Sequence, residues 1–126
     1  MMKGRRILVV DDDTDVIQFL TRLLQRAGYT VLTAQDAAQA VTQAHREAPD
    51  LILTDITMPA GGGVSILERL TMLTKDGTVP VIVLTGSDDP ELEARALAAG
   101  VTCVLQKPCD NAVLLECIKT AFGEGG

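Results

Sequence analysis

The chain has 126 residues, enough for one compact domain and too few for two ordinary ones. Hydrophobic residues make up 47%, which argues against a disordered tail, and aromatics only 2%, so the core must be built from Leu, Val, Ile and Ala. The formal charge of −6, with no cluster of Lys or Arg, argues against direct binding to nucleic acid or to an anionic membrane.

The basic start Met1–Arg6 leads into Ile7–Val10, a β-branched run stopped at once by Asp11, Asp12 and Asp13. That run is too short for a signal-peptide core. No stretch approaches the length of a membrane span, so a soluble, cytoplasmic protein is expected. Val16, Leu20, Leu23, Leu24 and Ala27 then share a helical stripe, with Asp13 or Thr14 as N-cap and Gly28 as terminator. A second strand, Thr30–Ala34, precedes a helix capped by Asp36, with Ala37, Ala40, Val41, Ala44 and Ala48 on one face and Pro49 as breaker.

Leu51–Thr54 reads as the third strand, followed by a loop with Pro59 and Gly61-Gly62-Gly63 and a third helix marked by Ile66, Leu67, Leu70 and Leu73. Val79–Leu84 is the fourth strand, and Asp89-Pro90 suits the N-cap and first turn of a fourth helix running to Gly100. Cys103–Leu105 makes a short fifth strand, and Asp110 caps a last helix carrying Leu114, Cys117, Ile118 and Ala121. Five strand–helix units without a hairpin signal predict an α/β fold, a parallel sheet with helices on both faces. Residues 1–122 would form the domain, and 123–126 a Gly-rich tail or linker stub.

In such a sheet, function gathers at the carboxyl ends of the strands. Strand one ends in Asp11-Asp12-Asp13, strand three in Asp55 and strand four in Thr85, while Lys107-Pro108 follows strand five. Acids brought to one rim repel each other unless a cation neutralises them. Oxygen ligands favour a hard divalent ion, Mg²⁺ where phosphate is the other partner. A carboxylate can act as nucleophile and form an acyl phosphate, with positive charge around the phosphoryl oxygens assisting transfer.

The blocks Ile7-Leu-Val-Val-Asp-Asp12, Leu53-Thr-Asp55 with Met58-Pro59 and Gly63, Val83-Leu-Thr85-Gly86 and Lys107-Pro108 resemble the receiver domains of two-component response regulators, in order and in spacing, over essentially the whole chain. The resemblance implies a flavodoxin-like, doubly wound (βα)5 sheet of strand order 2-1-3-4-5. It implies Asp55 as phosphoacceptor, and Mg²⁺ held by Asp12, Asp55 and the backbone carbonyl of Thr57, with Asp11 nearby. It also implies Lys107 paired to Asp55 or its phosphate across a cis Lys107–Pro108 bond. Thr85 would be the switching hydroxyl, and Thr57 and Ser87 would occupy the two positions that tune dephosphorylation. The donor would be a sensor histidine kinase or phosphotransfer protein. The protein would not be a classical enzyme but a switch that catalyses its own phosphorylation and dephosphorylation. Its output would be a changed surface of the fourth helix, fifth strand and fifth helix, read by a separate protein or by an output domain beyond Gly126. Two departures stand out: Val104 replaces the aromatic switch residue of the family, and Cys109 replaces a frequent aromatic after Lys-Pro.

Blander roles suit other residues. Asp13, Thr14 and Asp15 read as capping groups, and His45 as an exposed surface residue. The three glycines lack the Lys-Ser/Thr of a phosphate loop. Cys103, Cys109 and Cys117 have no metal spacing and read as reduced, partly buried small hydrophobes, with a redox role for Cys109 as the alternative. Two rival functions are a receiver-like binding module that ignores phosphate and a haloacid-dehalogenase-type phosphatase. The second fits the Asp11/Asp13 spacing but not Asp15.

Overall fold

A computed structural model describes residues 4–55 and 79–123. The strands are β1 (Arg6–Val10), β2 (Thr30–Ala34), β3 (Leu51–Thr54), β4 (Val81–Thr85) and β5 (Cys103–Gln106). The helices are α1 (Thr14–Arg26), α2 (Ala37–Glu47), α3 (Pro90–Ala98) and α4 (Asn111–Ala121). All strand pairings are parallel and the order is β2-β1-β3-β4-β5, the doubly wound flavodoxin-like order expected. The third expected helix, the glycine loop, Met58 and Pro59 lie outside the described residues, as does the end of the tail.

β1, β3 and β4 occupy the middle of the sheet and are buried almost throughout. This explains their continuous apolar sequences: each strand has a helical layer on both faces. On one face Leu8, Val10, Ile52, Val81 and Val83 meet Ala37 and Ala40 of α2 and Ala96 of α3. On the other, Ile7, Val9, Leu51, Leu53, Ile82 and Leu84 meet Ile17, Leu20 and Leu24 of α1 and Leu114 and Ile118 of α4. One layer is therefore made with alanines and the other with branched aliphatics.

Every described helix opens on an aspartate. Asp13, Asp36, Asp89 and Asp110 accept backbone N–H bonds from Asp15, Gln39, Glu91 and Ala112, satisfying donors that the first turn leaves orphaned. Several boundaries moved by one or two residues: β1 begins at Arg6, β4 ends at Thr85, β5 ends at Gln106 and α3 stops at Ala98, and proline accounts for two further shifts. β4 starts at Val81, not Val79, because Pro80 has no N–H to give the ladder, although its carbonyl accepts from Ile52 at 3.0 Å. Ala48 leaves the expected helical face to become a left-handed C-cap at φ 47°, since the residue before Pro49 is pushed out of the helical region.

Candidate functional site

The chain order reverses across β1, with β2 on one side and β3 on the other, which opens a crevice beyond the carboxyl ends of β1 and β3. Val10 lies opposite Thr54 in the register, so the residues that follow, Asp11 and Asp55, emerge side by side. The Asp55 N–H donates to the Val10 carbonyl at 3.0 Å and continues the ladder one step into the rim. Both acids are buried, at 3% and 6% exposure.

Lys107 closes the crevice from the far side. Its Nζ donates to Asp11 Oδ2 at 2.8 Å and to Asp55 Oδ2 at 3.1 Å. Burial pulls the Lys107 ammonium towards neutrality, but hydrogen bonds and charge from Asp11 and Asp55 outweigh it and hold its pKa above the ordinary lysine value. The remaining oxygen of Asp11, Oδ1, accepts the Asp13 N–H at 2.9 Å and fixes the carboxylate plane. The Lys107–Pro108 bond is cis, as the resemblance implied.

Thr85 is 3% exposed at the end of β4, where its carbonyl accepts the Lys107 N–H at 2.7 Å. Hydroxyl-bearing strand and ammonium-bearing loop are thus tied by one backbone bond. Thr85 Oγ1 accepts the Ser87 N–H at 3.2 Å, Ser87 Oγ accepts the Asp89 N–H at 3.2 Å, and Asp89 caps α3. The loop from β4 to α3 is therefore a relay of side-chain-to-backbone bonds that begins at Thr85. Val104 is half-buried on β5 opposite Val83. With Thr85, Ser87 and Leu92 it lines a small cavity of about 70 Å³.

The structure thus brings Asp11, Asp55 and Lys107 into direct contact and ties Thr85 to them through the backbone. Asp12 is exposed on the same rim. Among the described residues no three acid, thiol or imidazole side chains converge as a metal-binding group. Thr57 lies outside the described residues. His45 is exposed, as expected, and the three cysteines are free and partly buried. Sequence reasoning missed Thr54, whose buried hydroxyl donates to the Asp55 carbonyl at 3.0 Å and so braces the backbone that carries this acid. A threonine at the inner end of an otherwise aliphatic strand was the available signal.

A doubly wound sheet with two buried acids and a lysine in its crevice defines an open α/β protein with an anionic rim site. The sequence profile described as response regulator receiver domain matches residues 7–119, and the chain belongs to that family. It is 39% identical over 121 residues to the transcriptional regulatory protein PrrA of Mycobacterium tuberculosis, an alignment covering 96% of this chain and 51% of PrrA. The chain thus spans about half the length of the curated relatives it first matches. The receiver domain protein of Methanospirillum hungatei JF-1 superposes with a TM-score of 0.90 at 32% identity, covering 98% of this chain and 97% of that one. A Burkholderia pseudomallei response regulator, solved with a phosphorylated aspartic acid, a calcium ion and citrate, gives a TM-score of 0.85 at 28% identity. It is covered to 70% by an alignment spanning 96% of this chain. Among the described residues no helix is long and apolar enough to cross a membrane.

Proposed function

We propose that this domain is a phosphorylation switch whose acceptor is Asp55, charged by a phosphohistidine on a sensor kinase or phosphotransfer protein. The observation that carries this reading is the buried pair Asp11–Asp55 sharing the ammonium of Lys107. Among the described residues two buried carboxylates face one cation, a negative excess in a low-dielectric crevice, and Asp12 is exposed on the same rim. An all-oxygen donor set of that charge suits a hard divalent ion. Asp11, Asp12, Asp55 and the Thr57 carbonyl would hold Mg²⁺, which when bound neutralises charge on the phosphoryl oxygens.

Asp55 attacks phosphorus, the phosphorus–nitrogen bond breaks, and the imidazole leaves with a proton. Catalysis in such a transfer is mostly alignment and charge stabilisation, since little covalent work falls to the protein. Lys107 is already directed at Asp55 Oδ2 and has only to follow the incoming phosphoryl oxygens. Thr85 turns its hydroxyl towards the same group, giving up the bond from the Ser87 N–H and loosening the relay that leads to α3. The differential contacts of the two states shift the surface formed by α3, β5 and α4. Val104 offers no ring to rotate, so the readout rests on the loop and on β5 itself. Ser87 and Thr57, at the two positions that tune dephosphorylation in the family, would set the hydrolysis rate of the acyl phosphate. The signal passes to a partner protein or to an output domain within the same polypeptide, in the cytoplasm, with residues 1–122 as the receiver and 123–126 as tail or linker. The comparison with PrrA, a longer transcriptional regulator, supports such an output.

The test is phosphorylation by acetyl phosphate and by a phosphohistidine donor, with and without Mg²⁺, read by intact mass. A Mg²⁺-dependent gain of one phosphoryl group that is absent in Asp55→Ala is expected. No gain from either donor would leave a phosphate-independent binding module.

A further inference from the structure

Far from the acid crevice, β5 and α4 meet through two sulfurs. Cys103, the first residue of β5, and Cys117, on the inner side of α4, place their Sγ atoms 2.9 Å apart. That is closer than the roughly 3.5–4.0 Å at which even carbon atoms pack, and about 0.9 Å short of closing to a disulfide of about 2.05 Å. Both residues are half-buried rather than sealed in the core. They line an open groove with Thr102, Val113, Glu116 and Thr120, so a small reagent reaches the pair from solvent. Leu105 of β5 and Leu114 and Ile118 of α4 belong to one hydrophobic cluster, which holds the two elements on the same face of the sheet.

We propose that Cys103 and Cys117 form a reversible oxidant-responsive disulfide that fastens β5 to α4. The thiol pair is separate from the acid crevice, because Cys103 opens β5 and Lys107 follows its last residue, roughly 13 Å along the strand, but the two elements it fastens belong to the output surface of the proposed switch. The oxidant is a small-molecule disulfide. Burial, and after it the hydrogen bond with Cys103, pushes the Cys117 thiol up to about 12; the proposed sequence begins with Cys103 as the attacking thiol. The Cys103 thiolate attacks one sulfur of the reagent and expels the other as a thiolate, which takes up the proton that Cys103 lost. Cys117 then attacks Cys103 in the mixed disulfide, losing its proton to the second departing thiolate. The two protein thiols are oxidised to one disulfide, and one reagent disulfide is reduced to two thiols. Cys109 stays outside the exchange: its Sγ rests on the Asp110 carbonyl at 3.5 Å, and burial with the nearby Asp110 charge pushes its thiol up.

The experiment is to incubate the reduced full chain with oxidised glutathione, quench in acid, denature, alkylate with iodoacetamide and weigh the intact protein. The chain has three cysteines, so a wild-type product with one alkyl group and two hydrogens fewer is expected, and none alkylated in Cys109→Ser. A non-reducing peptide map should join Cys103 to Cys117, and in Cys117→Ser the reaction should stop at a glutathione adduct on Cys103. Three alkylated thiols in the wild type, a persistent glutathione adduct there, a bridge that includes Cys109, or a bridge between chains would each overturn the proposal.

Discussion

At the amino end of the sheet the Arg6 guanidinium meets Glu47 at 2.7 Å, both side chains 36% exposed. At the carboxyl end the Lys107 ammonium meets Asp11 at 2.8 Å, where the acid is 4% exposed and a second acid, Asp55, shares the cation. The two contacts are alike in length and opposite in surroundings. Arg6 sits between groups that would be satisfied without it: its backbone N–H has Asp50, and water reaches Glu47. Lys107 compensates charge that water cannot reach, and among the described residues one positive group faces two negative ones. Electrostatic stress is thus concentrated at one end of a sheet whose interior is otherwise aliphatic. An incoming group that redistributes charge acts at the end where the protein already holds an imbalance.

The sharpest break between the two ends is kinetic. Lys107→Ala should slow phosphorylation from acetyl phosphate by about 100-fold, the scale of losing one preorganised charge contact at the reacting group. The Asp55→Ala control should take up no phosphoryl group. Next comes stability. Lys107→Ala leaves two buried carboxylates facing each other and should cost about 1–3 kcal/mol by urea unfolding, less than a fully sealed pair would lose because Lys107 is itself partly exposed. Adding Asp55→Asn should recover most of that loss, and a strictly additive double mutant would show that the ammonium's role is packing rather than compensation.

The pH dependence sharpens the comparison further. The folded Lys107 pKa lies above the unfolded value, so its contribution is complete below about 10.4 and is lost only as pH rises through the higher folded value. The stability gap between wild type and Lys107→Ala should therefore stay level from pH 6 to pH 9 and shrink above about 10. The smallest effect belongs to the amino end. Arg6→Ala should cost less than about 1 kcal/mol, shrink further in high salt, and leave the phosphorylation rate unchanged. A tenfold slower rate in that variant would mean that the two ends are coupled through β1.

The aspartates show how far the sequence could be read. Asp11, Asp12, Asp13, Asp36, Asp55, Asp89 and Asp110 all follow strands or open helices, and every one belongs to the same rim by topology. Capping chemistry explains Asp13, Asp36, Asp89 and Asp110, and pattern alone could assign the capping role through the helical stripe that follows each of them. The acids of the crevice were legible because two different strands end in them. What pattern could not supply was depth. Asp11 and Asp55 are withdrawn from water while their neighbour Asp12 is exposed, although the sequence writes Asp11 and Asp12 as equals. Alternation along an extended chain sends adjacent side chains opposite ways, and only the paired register says which way is in.

Strand and helix types, their order, the parallel sheet and the chemistry of its rim were determined by the sequence itself. Hydrophobic period and chain-break residues are local signals, and parallel strands joined by helices leave few topologies open. Tertiary structure alone decided three things: that one ammonium is shared by two acids 44 residues apart, that Thr85 and Lys107 hang on one backbone bond, and that Cys103 meets Cys117. Each joins atoms remote along the chain. Such distances follow from strand register and helix packing, which no local run of residues encodes.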